Sequence, residues 1–169
     1  MPGIVVRRAR LEDAEAMARV IAQVAPEGFL GSEPPVDLPA RADRFRELIL
    51  AEGPTAAWVL EAEDGAVVGN AGAHSRVSGV LSIGMAIVPT ARGRGGGRAL
   101  LNAVLDHARA CHMHKVDLEV WIDNARAIAL YASAGFEVEG VRRDHYRRRD
   151  GRLRSTLIMA RHIHASAPD

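Results

Sequence analysis

The sequence predicts a three-layer α/β domain, in which helices cover both faces of a mixed, mostly antiparallel sheet. Two hairpin turns, Asp64-Gly65 and Asp150-Gly151, each join a pair of strand-like runs and so make those pairs antiparallel. Between the hairpins an apolar strand runs into a glycine-rich turn, an amphipathic helix and a returning strand. A chain of 169 residues that is 48% apolar has the length of one domain and can bury a core without a metal or a disulfide.

Residues 4–8 form a short β-branched strand. Leu11-Glu12-Asp13 then places acidic groups at the start of a helix whose apolar face carries Leu11, Ala14, Met17, Ala18 and Ile21. Residues 26–39 are a loop rich in Gly and Pro, and the next helix, with Phe45, Leu48 and Ile49 on one face, stops at Gly53-Pro54. Residues 57–61, 67–74 and 80–88 read as an antiparallel meander. The helix over 97–112 buries Leu100, Leu101, Val104, Leu105 and Ala108, and 116–122 returns as a strand. Residues 124–134 are another helix, ended by Gly135; 136–146 and 153–160 make the final hairpin.

The chemistry starts in residues 85–101, where the strand enters the glycine turn. A helix start leaves its first N–H groups unpaired at the positive end of the macrodipole, which makes an anion seat. Gly93, Gly95, Gly96 and Gly97 let a phosphate reach those amides, and Arg92, Arg94 and Arg98 add charge at the mouth. A Walker loop is excluded because Arg98-Ala99 stand where Lys and Ser or Thr are needed, and Arg98 replaces the third glycine of a dinucleotide fingerprint. What remains is Arg92-x-x-Gly95-x-Gly97 after a strand ending in Ile87-Val88-Pro89.

A second block lies downstream: Asn124-x-x-Ala127-x-x-Leu130-Tyr131-x-x-x-Gly135-Phe136. In their order and separation the two blocks resemble the GCN5-related N-acetyltransferase (GNAT) superfamily, closest in pattern to bacterial L-amino-acid N-acetyltransferases and ribosomal-protein alanine acetyltransferases. The resemblance implies a single-domain acyl-CoA N-acyltransferase fold over residues 1–163, followed by a short polar tail over 164–169, with central strands that splay apart to hold acetyl-CoA as the acetyl donor. It implies that the backbone of Met85, Ala86 and Ile87 pairs with the pantetheine amides. The turn from Gly93 to Arg98 receives the pyrophosphate, Asn124 bonds the cofactor arm, and Tyr131 points its phenol at the sulfur.

The implied reaction is transfer of an acetyl group from a thioester to a primary amine, which must first lose a proton. Glu119 is the candidate base, where partial burial would make it a better proton acceptor, and Tyr131 the candidate acid for the departing thiolate. The plainer readings are a solvated strand residue for Glu119, with water carrying the proton, and a core aromatic for Tyr131. Glu33 in the 26–39 loop is offered as a ligand for the substrate ammonium. The acceptor expected is a small-molecule amine, an amino acid or its derivative; the alternatives are a protein amino terminus, or an acetyl-CoA-binding module without turnover. One position departs from the family: Gly96 stands where Ile, Leu or Val is usual, which predicts a looser first turn and weaker cofactor binding.

Other readings are negative or bland. His107, Cys111 and His114 share one side of a helix at helical spacing, but no fourth ligand is evident and no metal is expected. His74 is expected beside the pocket as a structural histidine. Arg142 and Arg143, with Arg147, Arg148, Arg149, Arg152 and Arg154, make the last hairpin basic, read as a solvated edge, with an anionic partner or a homodimer contact as the sharper alternative. With 22 basic against 21 acidic residues, neither nucleic acid nor membrane is implied, and the single cysteine suits a reducing cytoplasm.

Overall fold

A computed structural model of the chain describes residues 3–163, so the tail expected over 164–169 lies outside the described residues. Seven strands form one sheet: β1 (Val5–Arg8), β2 (Ala56–Glu61), β3 (Val67–Val77), β4 (Val80–Ile87), β5 (Lys115–Trp121), β6 (Glu137–Arg147) and β7 (Leu153–His162). Their spatial order is β1-β2-β3-β4-β5-β7-β6, and all neighbours are antiparallel except β4 and β5. Four α-helices cover the sheet: α1 (Ala14–Val24), α2 (Leu38–Leu50), α3 (Gly96–Ala110) and α4 (Ala125–Ser133).

The core divides into two layers because the sheet alternates its side chains. Ala56, Trp58 and Leu60 of β2 join Leu100, Leu101 and Val104 of α3 and Tyr131 of α4, while Ala57 and Val59 face Met17 and Val20 of α1 and Phe45 of α2. β2 is thus buried on both faces, as a central strand between helical layers must be.

The first helix begins later than its apolar pattern suggests. Leu11 is 46% exposed in a 3-10 turn, and Val20 and Val24 complete the buried face instead. The cause is Asp13, whose carboxylate accepts from the Arg10 backbone N–H (2.7 Å) and from both terminal nitrogens of Arg7 (2.7 and 2.9 Å), tying the turn to β1 before α1 starts. Asp37 caps α2 through its side chain to Ala40 N–H at 3.0 Å.

Candidate active site

The β4–β5 ladder is short. Only Val80, Leu81 and Ser82 pair with Lys115, Val116 and Asp117, and the Ser82 hydroxyl bonds the Asp117 carboxylate at 2.5 Å across the last rung. Beyond it the strands separate, β4 staying on β3 and β5 on β7. The gap opens into a cleft of about 680 Å³ that spans the sheet between them, a volume suited to a cofactor-sized ligand.

Strand alternation decides which backbone groups face that gap. The Val88 N–H bonds Val68 of β3, so every second residue back along β4 does likewise, and Ala86 pairs with Asn70. Met85 and Ile87 therefore turn their N–H and C=O groups away from β3, into the gap. Of the three residues expected to pair with pantetheine, Ala86 has its groups used in the ladder, and Ile87 offers its N–H, since its carbonyl already accepts from Arg92 Nε at 2.8 Å.

At the end of β4 the turn forms a cradle. Gly93 (φ +75°) and Gly95 (φ +82°) adopt the left-handed conformation, and an added Cβ at either would meet nothing within 4 Å, so the chain there is bare backbone at the mouth of α3. Gly96 is different: it is buried, and a Cβ there would come within 2.5 Å of Leu60 Cδ2 and 3.3 Å of Ile4 Cδ1. Leu60 fills the space left by the missing side chain, so the first turn of α3 is packed rather than loose. A Cβ at Gly97 would stand 3.0 Å from Leu130 Cδ2, which brings α4 against the same turn.

Two of the three arginines expected to meet phosphate have protein partners. Arg92 donates to the Ile87 carbonyl at 2.8 Å and to Glu27 at 3.0 Å, bracing the turn against the end of α1. Arg98 donates to the Ser133 carbonyl and hydroxyl (3.2 and 2.5 Å), tying α3 to the end of α4. Arg94 is exposed, with no side-chain partner among the described residues. Asn124 lines the cleft and spends its side-chain oxygen on the Ala127 N–H (3.3 Å) as the N-cap of α4.

Glu119 and Tyr131 both line the cleft, Tyr131 in the α3–α4 layer and Glu119 on the other face of the sheet. Tyr131 is 6% exposed; burial pushes its phenol up to about 12, so it holds its proton at neutral pH. Its hydroxyl has no hydrogen-bond partner among the described residues, nor is it sealed from the surface. Glu119 is not buried as expected. Alternation along β5 sends Leu118 and Val120 into the α3 layer and Glu119 to the open face, where Tyr146 Oη (2.7 Å), Thr156 Oγ1 (2.9 Å) and Arg142 (3.0 Å) surround its carboxylate. Tyr146 is itself raised, first by burial and then by the bond to Glu119.

That these three meet Glu119 is missed in the sequence, where Arg142 reads only as part of the solvated basic hairpin. They meet Glu119 because β7 lies between β5 and β6, setting Trp121, Thr156 and Arg142 in one cross-strand row. Trp121 lies under two guanidinium groups, Arg154 at 4.4 Å and Arg148 at 5.2 Å from its ring centroid. The hairpin read as a solvated edge thus turns two arginines inward. Glu33 also lines the cleft, but both its oxygens accept from the Arg149 N–H (3.1 and 3.2 Å) and Arg148 lies 3.5 Å away, so its charge is engaged by the hairpin.

The remaining sequence candidates stand apart. His74 is exposed and does not border the cleft. His107 bonds the Pro54 carbonyl at 2.9 Å and packs edge-on against Trp58. No three potential metal ligands gather among the described residues.

A gap between parting strands, open backbone along β4 and a bare glycine cradle at a helix start fit coenzyme A. Residues 20–136 match the acetyltransferase (GNAT) family, and the chain belongs to it: it is an N-acetyltransferase that uses acetyl-CoA. It is 30% identical over 166 residues to L-amino acid N-acetyltransferase AaaT of Escherichia coli (strain K12), covering 95% of this chain and 99% of that one. It is 41% identical over 76 residues to the ribosomal protein bS18 alanine N-acetyltransferase of the same strain, a match covering 45% of this chain and 51% of that protein. Among solved structures, yncA from Salmonella typhimurium with its cofactor acetyl-CoA superposes with a TM-score of 0.81 at 23% identity, over 98% of this chain and 96% of that one. Ribosomal-protein-alanine N-acetyltransferase from Brucella melitensis gives 0.82 at 25% identity, over 94% and 99%.

Proposed function

We propose that the protein acetylates the primary amine of a small molecule, an amino acid or an amino-acid derivative, by direct attack on the thioester. The observation that carries this reading is that Glu119 and Tyr131 line one cleft, which opens where β4 and β5 part after Ser82 and Asp117. The full-length similarity to a protein named for L-amino acids supports the substrate class.

Acetyl-CoA supplies an activated acyl carbonyl and a thiolate leaving group. Gly93, Gly95, Gly96 and Gly97 with the α3 amides hold its diphosphate, and the Met85 N–H and C=O and the Ile87 N–H are presented along the gap. Glu119 accepts a proton from the incoming ammonium, directly or through water. Tyr146 and Thr156 donate to one carboxylate oxygen, Oε2, and Arg142 to the other, so the side chain is held in place. Tyr131 keeps its proton at neutral pH and donates it, or a hydrogen bond, to the departing thiolate.

Release of free thiol, followed with a panel of amino acids, amino-acid amides and amines, tests the reading. Turnover with one of these classes is expected, and Glu119→Gln should lower kcat/KM by about 100-fold with little change in acetyl-CoA affinity. Binding of acetyl-CoA with no turnover across the panel would leave a binding module instead.

A further inference from the structure

The arginines of the last hairpin do more than cover Trp121. Arg154 bonds the Gly28 carbonyl and the Asp123 carboxylate. Arg148 reaches the carbonyls of Leu30 (3.1 Å) and Gly31 (3.4 Å), and Arg149 bonds the Pro34 carbonyl at 2.7 Å while its N–H meets Glu33. Every one of these bonds except that to Asp123 crosses from the β6–β7 hairpin to the segment between α1 and α2. The side chain of Arg148 is only 10% exposed and that of Arg154 only 21%, so this is a packed closure rather than a loose surface contact.

Its position matters. The glycine cradle and Tyr131 belong to the α3–α4 side of the sheet, whereas Glu119 and Trp121 face the other side, from which an amine would approach. Residues 28–34 and the hairpin meet over that second side. An extended peptide needs a lane about one strand spacing wide, roughly 5 Å, and free backbone groups along it with which to pair. Here the carbonyls of Leu30, Gly31 and Pro34 already accept from guanidinium groups, and the lane itself is bridged.

We infer that Arg148, Arg149 and Arg154 form a latch that closes the acceptor side of the cleft and makes the enzyme select free small amines over the amino termini of peptides. The inference rests on the small-amine reading above and names the residues that enforce it. Arg148 is the central member, since it alone combines the bonds to Leu30 and Gly31, the contact with Glu33 and the stacking on Trp121.

The test pairs two acceptors with the same reacting amine, alanine amide and a six-residue peptide beginning with alanine, and follows thiol release by the full chain and by Arg148→Ala/Arg149→Ala. The parent should favour the amide. In the variant the ratio of kcat/KM for amide over peptide should fall by about tenfold or more through a gain on the peptide. Amide hydrogen exchange over residues 28–34 should quicken in the variant. Arg148→Lys, which keeps the charge but has a single nitrogen and no planar group, so that it cannot serve the carbonyls and Glu33 from separate nitrogens while stacking on Trp121, should move both readouts the same way by less, and serves if the double variant does not fold.

A parent that uses the peptide as well as the amide, or a ratio that stays fixed while exchange quickens, overturns the selection. Unchanged exchange overturns the latch. A parent that turns over neither acceptor nor any other small amine removes the small-amine reading itself, a result distinct from an amide-active parent whose ratio does not respond.

Discussion

Leu60 occupies the space that a side chain at Gly96 would need: a Cβ there would come within 2.5 Å of Leu60 Cδ2. Leu60 is fully buried in a strand covered on both faces, so it has nowhere to retreat. The glycine that departs from the family pattern and the leucine facing it are a matched pair. Gly96→Ile, the substitution toward the family's usual residue, should therefore destabilise the fold by about 1–3 kcal/mol through overpacking. Combined with Leu60→Ala, the two effects should fall short of their sum by at least about 1 kcal/mol in a denaturation double-mutant cycle. Simple additivity would mean that the pair is not coupled.

Tyr131→Phe removes a hydroxyl that has no hydrogen-bond partner among the described residues, so the fold should tolerate it. If the phenol serves the leaving thiolate, kcat should fall by about 10–100-fold while the acetyl-CoA dissociation constant stays within a factor of about two. Steady-state kinetics beside calorimetric titration separate the two, and an unchanged rate where chemistry limits turnover would remove the role.

The same residue makes an alkaline prediction. Burial raises the Tyr131 phenol from 10.0 to about 12, so the folded state holds this proton more tightly than the unfolded chain. Its contribution is complete below pH 10 and is lost as the pH rises through about 12, a change of about 2–3 kcal/mol. Urea midpoints taken across that window should drop less in Tyr131→Phe than in the parent; equal drops would show that other groups govern the alkaline limb.

At the acid end the corresponding group is Asp13, 6% exposed and held below its ordinary value first by the hydrogen bonds from Arg7. Because the folded value is depressed, its stabilisation is present above the ordinary 3.8 and is lost as the pH falls below it. Asp13→Ala should cost about 2–3 kcal/mol at pH 7, since it leaves the Arg10 N–H and part of the Arg7 guanidinium unpaired. The difference from the parent should narrow at pH 2 to 3 in denaturant titrations. A gap that is constant with pH would deny the linkage.

Much of this protein was legible along the chain because its signals are local. The hairpins at Asp64-Gly65 and Asp150-Gly151, the apolar face of α3 and the glycine turn each depend on a few neighbouring residues, and the structure places strands and helices close to where those residues predict. The two motif blocks were likewise enough to name the family, since a phosphate seat at a helix start is written in consecutive positions.

Tertiary structure alone decided which groups meet. Seating β7 between β5 and β6 surrounds Glu119 with Thr156, Tyr146 and Arg142, and it folds Arg148 and Arg154 inward onto Trp121. The parity of the β3–β4 ladder sends the backbone groups of Met85 and Ile87 into the gap and those of Ala86 to Asn70. The physical reason is common to all of these: strand order and register are set by pairing between distant segments, and a shift of one residue would turn every such group the other way.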